Sequence, residues 1–463
     1  MDTPICDFVR HYADGELLRL HMPGHKGVSR LGVEAMDITE VHGADSLYEA
    51  EGIIRKSEDN ASRLFGCPTF YSTEGSSQCI RAMLHLATTG RSKVVAAARN
   101  VHKTFLSAAA LLDLQVEWLY PQTGESYLSC TLDLETVDAF LTKTPVAALY
   151  VTSPDYLGAM ADIAGLAEVC HRHGTLLLVD NAHGAYLRFL EPSRHPVDLG
   201  ADLCCDSAHK TLPVLTGGAY LHIASRNDGM VGRAKDALAL FGSTSPSYLI
   251  LQSMDLANAA LAEGYPQKLA EQVAALDGLK ERLVRKGWVT VGGDHLKLTL
   301  DLRAVGGTGA DLARHLRSHG IECEFADPDY LVMMFTPDNG ADCLRLVEEA
   351  LDAFPLGQAR AGRPPVPGVG ERVLSVREAM LAPSVRLPVE DCVGRVLASP
   401  CVGCPPAVPV LVCGERIDAA ALECFRYHGL DRCAVVATEK DGSPHHRALS
   451  DDSGELTKTP IRS

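Results

Sequence analysis

Two short stretches carry residue types suited to covalent chemistry on amines. The first, Ser207-Ala208-His209-Lys210-Thr211-Leu212, follows a run over 201–205 that reads as a strand, and it precedes Pro213 and Gly217-Gly218. A lysine beside a strand end and small residues can reach inward, where its amine forms Schiff bases with aldehydes. Alone this is a weak signal, because most lysines are solvated surface charges. The second stretch lies upstream. Leu176-Leu177-Leu178-Val179 is a continuous apolar run, as in a strand buried on both faces of a parallel sheet. It ends in Asp180-Asn181-Ala182-His183-Gly184. Open α/β sheets place ligand contacts at the carboxyl ends of their strands. A lysine for an aldehyde, and an acid to keep a pyridine nitrogen protonated, are what pyridoxal 5'-phosphate (PLP) requires.

Other candidates surround this pair. Gly75-Ser76-Ser77 follows a strand pattern and opens a helix pattern. Free N–H groups and the helix dipole favour a phosphate there, although an ordinary serine cap reads the same way. His102 follows the apolar run 94–98; its flat ring could stack on a cofactor ring, while a lone histidine is more often a satisfied polar group. Ala182 is small enough to let a cofactor pack against the strand end, and His183 follows Asp180 closely. Gly24-His25-Lys26-Gly27 lacks the spacing and the hydroxyl residue of a P-loop. The acids Asp37, Glu40, Asp45, Glu49 and Glu51 read as a solvated face. Cys401 and Cys404 have metal-pair spacing, but a zinc site needs two further ligands, so incidental thiols are expected and no metal.

These residues need a scaffold. Strand patterns fall at 69–72, 93–98, 115–119, 146–152, 176–180, 202–206 and 219–223, and helices at 76–87, 103–112, 134–141 and 163–173. Strand and helix alternating over such a length predict a wound, mainly parallel α/β sheet. Residues 1–65 read as an N-terminal arm with a short helix near Phe8, Val9 and Tyr12. A large domain is expected over 66–255 and a small α+β domain over 256–360. Within the latter, 261–285 is helical, and Leu296-Lys297-Leu298-Thr299-Leu300 alternates like a half-buried strand. Pro364, Pro365 and Pro367 with flanking glycines make 362–368 a linker. A C-terminal domain follows over 370–430, and the polar 440–463 is expected to be a disordered tail.

The ordered blocks resemble the ornithine/lysine/arginine decarboxylase family of PLP enzymes. They are Leu20-His21-Met22-Pro23-Gly24-His25-Lys26-Gly27, Asp37-Ile38-Thr39-Glu40, Arg99-Asn100-Val101-His102-Lys103, Thr152-Ser153-Pro154, the two stretches above, and Ser243-Thr244-Ser245-Pro246-Ser247-Tyr248. Segments between Arg377 and Leu411 resemble that family's small C-terminal domain. The resemblance implies PLP fold type I, with a seven-stranded, mainly parallel sheet in the large domain. It implies decarboxylation of arginine, lysine or ornithine to an amine, in polyamine biosynthesis. Lys210, Asp180, His102 and His209 would be catalytic; Gly75, Ser76, Ser77, Ala182, His183 and Ser207 would join them around the cofactor. Thr244 would meet the phosphate of a neighbouring subunit, so at least a homodimer is implied. One acid of 37–52 would approach the substrate cation, and Lys210 or His209 would return the proton. Glu74, Asn181 and Ala208 depart from the usual Asn, Glu and Thr.

A net charge of −16 argues against a nucleic-acid partner, and a composition 46% hydrophobic and 22% charged is that of a globular enzyme. Residues 1–15 hold no apolar segment of a signal peptide, and no run is long enough to span a membrane. Fifteen cysteines without such a signal fit reduced thiols in a cytoplasm. An aminotransferase would use the same Lys210 and Asp180, with an arginine for the substrate carboxylate. A non-catalytic oligomeric regulator of a decarboxylase is the third reading, against which Lys210, Asp180 and His102 count.

Overall fold

The computed structural model describes residues 1–15, 17–121, 126–400 and 406–441. Cys401, Cys404 and the tail from 442 therefore lie outside the described residues. Seven strands, β1 (Thr69–Ser72), β2 (Val94–Ala98), β3 (Gln115–Leu119), β4 (Ala148–Thr152), β5 (Leu176–Asp180), β6 (Leu203–Asp206) and β7 (Ala219–Ile223), form one sheet. Their order is β1-β7-β6-β5-β4-β2-β3. Only β7 runs against its neighbours, pairing antiparallel with both β1 and β6. This is the α/β, mainly parallel sheet of PLP fold type I.

The apolar run of β5 has its physical reason here. Leu178 packs into one core with Tyr150 and Met83, while Leu177 and Val179 pack into another with Leu149 and Leu166. All of β5 is buried, so alternation would have placed a polar group in a core. Truncating a fully buried leucine here would cost about 2–5 kcal/mol. The crossover helices Ser76–Thr88, Lys103–Leu112, Leu134–Lys143 and Ile163–Arg172 start and stop on local signals. Asp162, for example, accepts from Gly165 N at 3.0 Å, and the turn beyond closes at Gly174, whose φ of +66° suits glycine.

A second sheet holds β8 (Thr290–Val291), β9 (Lys297–Asp301), β10 (Phe325–Ala326) and β11 (Tyr330–Met334), in the order β10-β11-β9-β8. The half-buried reading of β9 is corrected: every residue of it is buried. Lys297 Nζ donates to Asp155 O at 2.7 Å, and Thr299 Oγ1 donates to Leu157 O at 2.9 Å. The polar face of β9 thus lies on the loop after β4, not in water. The helical stretch ahead of it is two helices, Tyr248–Ala262 and Tyr265–Arg285, broken at Gly264 with φ of +80°. A hairpin-like pair, β12 (Ser384–Pro388) and β13 (Arg432–Val436), completes the strands. Among the described residues no helix is long and apolar enough to cross a membrane.

Candidate active site

The parallel register aligns Thr152 with Asp180 and Asp180 with Cys205. These strand ends open on a cavity of about 240 Å³, lined by Asp180, Ala182, His183, Lys210, His102 and Ser76 among others. Asp180 is 2% exposed. Its Oδ2 accepts from Tyr150 OH at 3.0 Å and its Oδ1 from Ala182 N at 3.2 Å. Burial raises its pKa against the opposing charge of Lys210. Burial likewise lowers the Lys210 ammonium, countered by Asp180 and Glu324. Each buried group is pushed toward its neutral form, as desolvation demands.

Lys210 sits in a one-turn helix, Ala208–Thr211, directly after β6. Its Nζ is 3.0 Å from His183 Nε2. Burial, with the Lys210 charge second, holds the His183 imidazole well below its usual pKa, so the neutral ring accepts at Nε2. Its Nδ1 is then the protonated atom, yet it is buried with no partner. Asn100 Oδ1 and Thr152 Oγ1, from two more residues lining the cavity, are also buried without partners. Unpaired buried polar atoms are costly, and three around one cavity mark a place built to be filled. His102 caps the helix Lys103–Leu112, its Nδ1 accepting from Thr104 N at 3.2 Å. Burial depresses its pKa to about 4.

The serine turn divides. Ser76 lines the cavity and accepts from Ser207 Oγ at 2.8 Å, which joins the helix start to the Lys210 segment. No side chain caps the helix Ser76–Thr88, so its first turn retains N–H groups for an anion. Gly75 N instead donates to Gly217 O at 2.7 Å, and Ser77 Oγ pairs with Thr104 Oγ1 at 3.1 Å. Glu74 accepts from Ser243 N, tying this turn to the exposed loop that holds Thr244. Thr244 does not line the cavity.

His209 is placed differently from the proton-carrier reading. It does not line the cavity, and its Nδ1 lies 2.9 Å from Gly218 O, where an N–H can only donate. The acids Asp37, Glu40, Asp45, Glu49 and Glu51 do not line it either. Asp45 accepts from Gly52 N and Ile54 N at 2.8 Å, holding the start of the helix Ile53–Phe65. The second cavity acid is Glu324, just ahead of β10, with Tyr156 OH donating to its Oε1 at 2.8 Å. Tyr156 also stacks edge-on against His183, ring centres 5.3 Å apart. Neither Tyr156 nor Glu324, nor the wall at Ala407 and Val408, was singled out from sequence. Glu324 lies in Ile321-Glu322-Cys323-Glu324-Phe325, where nothing in the sequence distinguishes it from Glu322, and both are exposed.

Comparison with known proteins gives the same fold. The family pattern described as Orn/Lys/Arg decarboxylase, major domain, matches residues 3–297. An arginine decarboxylase of Bacillus subtilis is 28% identical over 96% of this chain and 97% of its own length. One from Halalkalibacterium halodurans is 30% identical over 95% and 96%. The solved lysine decarboxylase of Francisella novicida superposes with a TM-score of 0.76 at 16% identity, covering 94% of this chain and 81% of that one.

Proposed function

The chain belongs to the Orn/Lys/Arg decarboxylase family, and we propose that it uses PLP to convert arginine to the corresponding amine and carbon dioxide. The observation that carries this reading is one cavity holding Lys210, Asp180 and a separate acid, Glu324. The three unpartnered polar atoms around it fit a group that brings its own donors and acceptors. Bound PLP would supply an aldehyde that condenses with amines and a ring that draws in the electrons of the Cα–carboxylate bond.

The chain's residues divide the remaining work. Lys210 Nζ is the amine that would hold the aldehyde of the cofactor and that a substrate amine would have to replace. Its lowered pKa makes the neutral, nucleophilic amine accessible. Asp180, whose carboxylate Tyr150 OH and Ala182 N stabilise, would keep a proton on the ring nitrogen. The first-turn N–H groups at Ser76 and Ser77, with Ser207, take the phosphate. His102 would offer a flat neutral ring to the cofactor, Ala182 would leave room for it, and the unpartnered His183 Nδ1 would be a donor for it. Lys210 returns a proton to the α carbon, since His209 is committed to Gly218 O. Glu324 accepts the guanidinium end of the substrate. No arginine lines the cavity among the described residues, which favours this over an aminotransferase needing one for the substrate carboxylate.

The proposal extends to at least a homodimer. Leu18, Leu20 and Leu31 are 83%, 83% and 87% exposed, an apolar run that a second copy would cover. Thr244 would then complete the partner's phosphate site, and mixing Lys210→Ala with Thr244→Asp protein would restore one intact site. The domain division given above and a place in polyamine biosynthesis belong to the same reading. The test is a product screen with arginine, lysine and ornithine. Amine and carbon dioxide in equal amounts, with arginine preferred, are expected; a keto acid would overturn the reading.

A further inference from the structure

Behind the cavity lies a buried polar cluster that these steps do not use. Asp206 ends β6, four positions before Lys210, and has no exposed surface. His195 Nε2 and His222 Nε2 each lie 3.1 Å from its Oδ2, and both rings are fully buried. Asn181 Nδ2 donates to its Oδ1 at 2.8 Å. Asn181 in turn follows Asp180 directly.

We infer that Asp206 is a positioning residue: through Asn181 it fixes the Asp180 carboxylate relative to Lys210. The inference rests on the decarboxylase reading for what that placement serves. Its geometry is independent. Asp180 and Lys210 leave the ends of adjacent strands, and Asn181 N donates to Cys205 O at 3.0 Å as the last backbone tie between them. Side chains add two links, Cys205 Sγ to Asp180 Oδ1 at 3.7 Å and the shorter Asn181–Asp206 bond. Asn181 has one packed path to Asp206, because a Cβ at Gly184 would fall 2.0 Å from Asn181 Oδ1. Two imidazole donors on the other oxygen keep Asp206 a carboxylate despite its burial, and hydrogen bonds to an ionised acceptor are the strong kind. A neutral or mobile partner would hold Asn181 less firmly.

The experiment compares Asn181→Ala, Asn181→Asp and the exchanged pair Asn181→Asp/Asp206→Asn. Three quantities are read: kcat against KM, PLP affinity from fluorescence quenching, and the melting temperature. Asn181→Ala should lower kcat and PLP affinity by about 10-fold each, the scale of losing an orienting outer partner, with KM nearly unchanged and the melting temperature lowered because buried Asp206 Oδ1 loses its donor. Asn181→Asp should be worse, because it sets two buried carboxylates together. The exchanged pair, which restores one donor and one acceptor, should recover most of the loss. Wild-type kcat and PLP affinity in Asn181→Ala would overturn the inference even if Asp206→Asn proteins fail to fold. A wild type that releases no carbon dioxide from basic amino acids would sink the decarboxylase reading instead, while PLP affinity would still decide the clamp.

Discussion

Among the described residues, Lys297 is buried and Lys210 half-buried, and in both burial lowers the pKa of the ammonium. Lys297, at the start of β9, is 3% exposed, donates to Asp155 O at 2.7 Å, and lies 3.7 Å from Asp294 Oδ2. Its charge is spent holding the second sheet on the loop after β4. Lys210 has a neutral imidazole as its nearest partner, 3.0 Å away, and open space beside it. Burial and a depressed pKa are thus shared by a structural lysine and the one proposed to hold the cofactor. What separates them is whether the amine already has an anionic or carbonyl acceptor, and whether a cavity adjoins it.

Substitutions should divide the two accordingly. Lys210→Ala should abolish turnover, a loss of at least about 10³-fold for a nucleophile, while the urea midpoint stays near wild type. Asp180→Ala should cost roughly 10²-fold in kcat, as for other lost electrostatic stabilisers; an unchanged kcat would reduce Asp180 to a strand-end acceptor. Glu324→Gln should raise KM for arginine by about 10-fold, the value of about 1.4 kcal/mol in a charge-assisted contact, and leave kcat within a few-fold. Lys297→Met should invert the pattern. It leaves Asp294 buried without its cation and should cost about 3–5 kcal/mol of stability, with only a small change in kcat at low temperature.

The smallest effect concerns acid. In the folded, cofactor-free chain burial keeps His102 neutral down to about pH 4, against the ordinary 6.5 of a free imidazole. The unfolded chain takes up that proton first, so stability is full above pH 6.5 and falls as pH drops toward 4. His102→Gln should flatten that limb in urea titrations. His183, depressed further by burial, should keep part of it.

The same contrast explains what was legible in the sequence. The central strands were readable because a strand buried on both faces must be largely apolar, as β2 is and as β5 is up to Asp180. Asp180 was readable because it closes the apolar run of β5, and Lys210 because it stands four positions beyond the end of β6. Lys297 was not: an alternating Lys and Thr look solvated until the carbonyls of the loop after β4 are placed against them. Glu324 and Val408 reach the cavity from segments far along the chain, and short-range pattern carries no trace of that meeting. His209 misled because adjacency to Lys210 says nothing of direction, and its ring turns back to Gly218 O.

The central claim is that Lys210, and not the buried Lys297, receives the cofactor. Borohydride reduction of the PLP-loaded protein, followed by peptide mass spectrometry, tests it directly. A single phosphopyridoxyl adduct on the peptide containing Lys210 is the result predicted; an adduct on Lys297, or none, would contradict it.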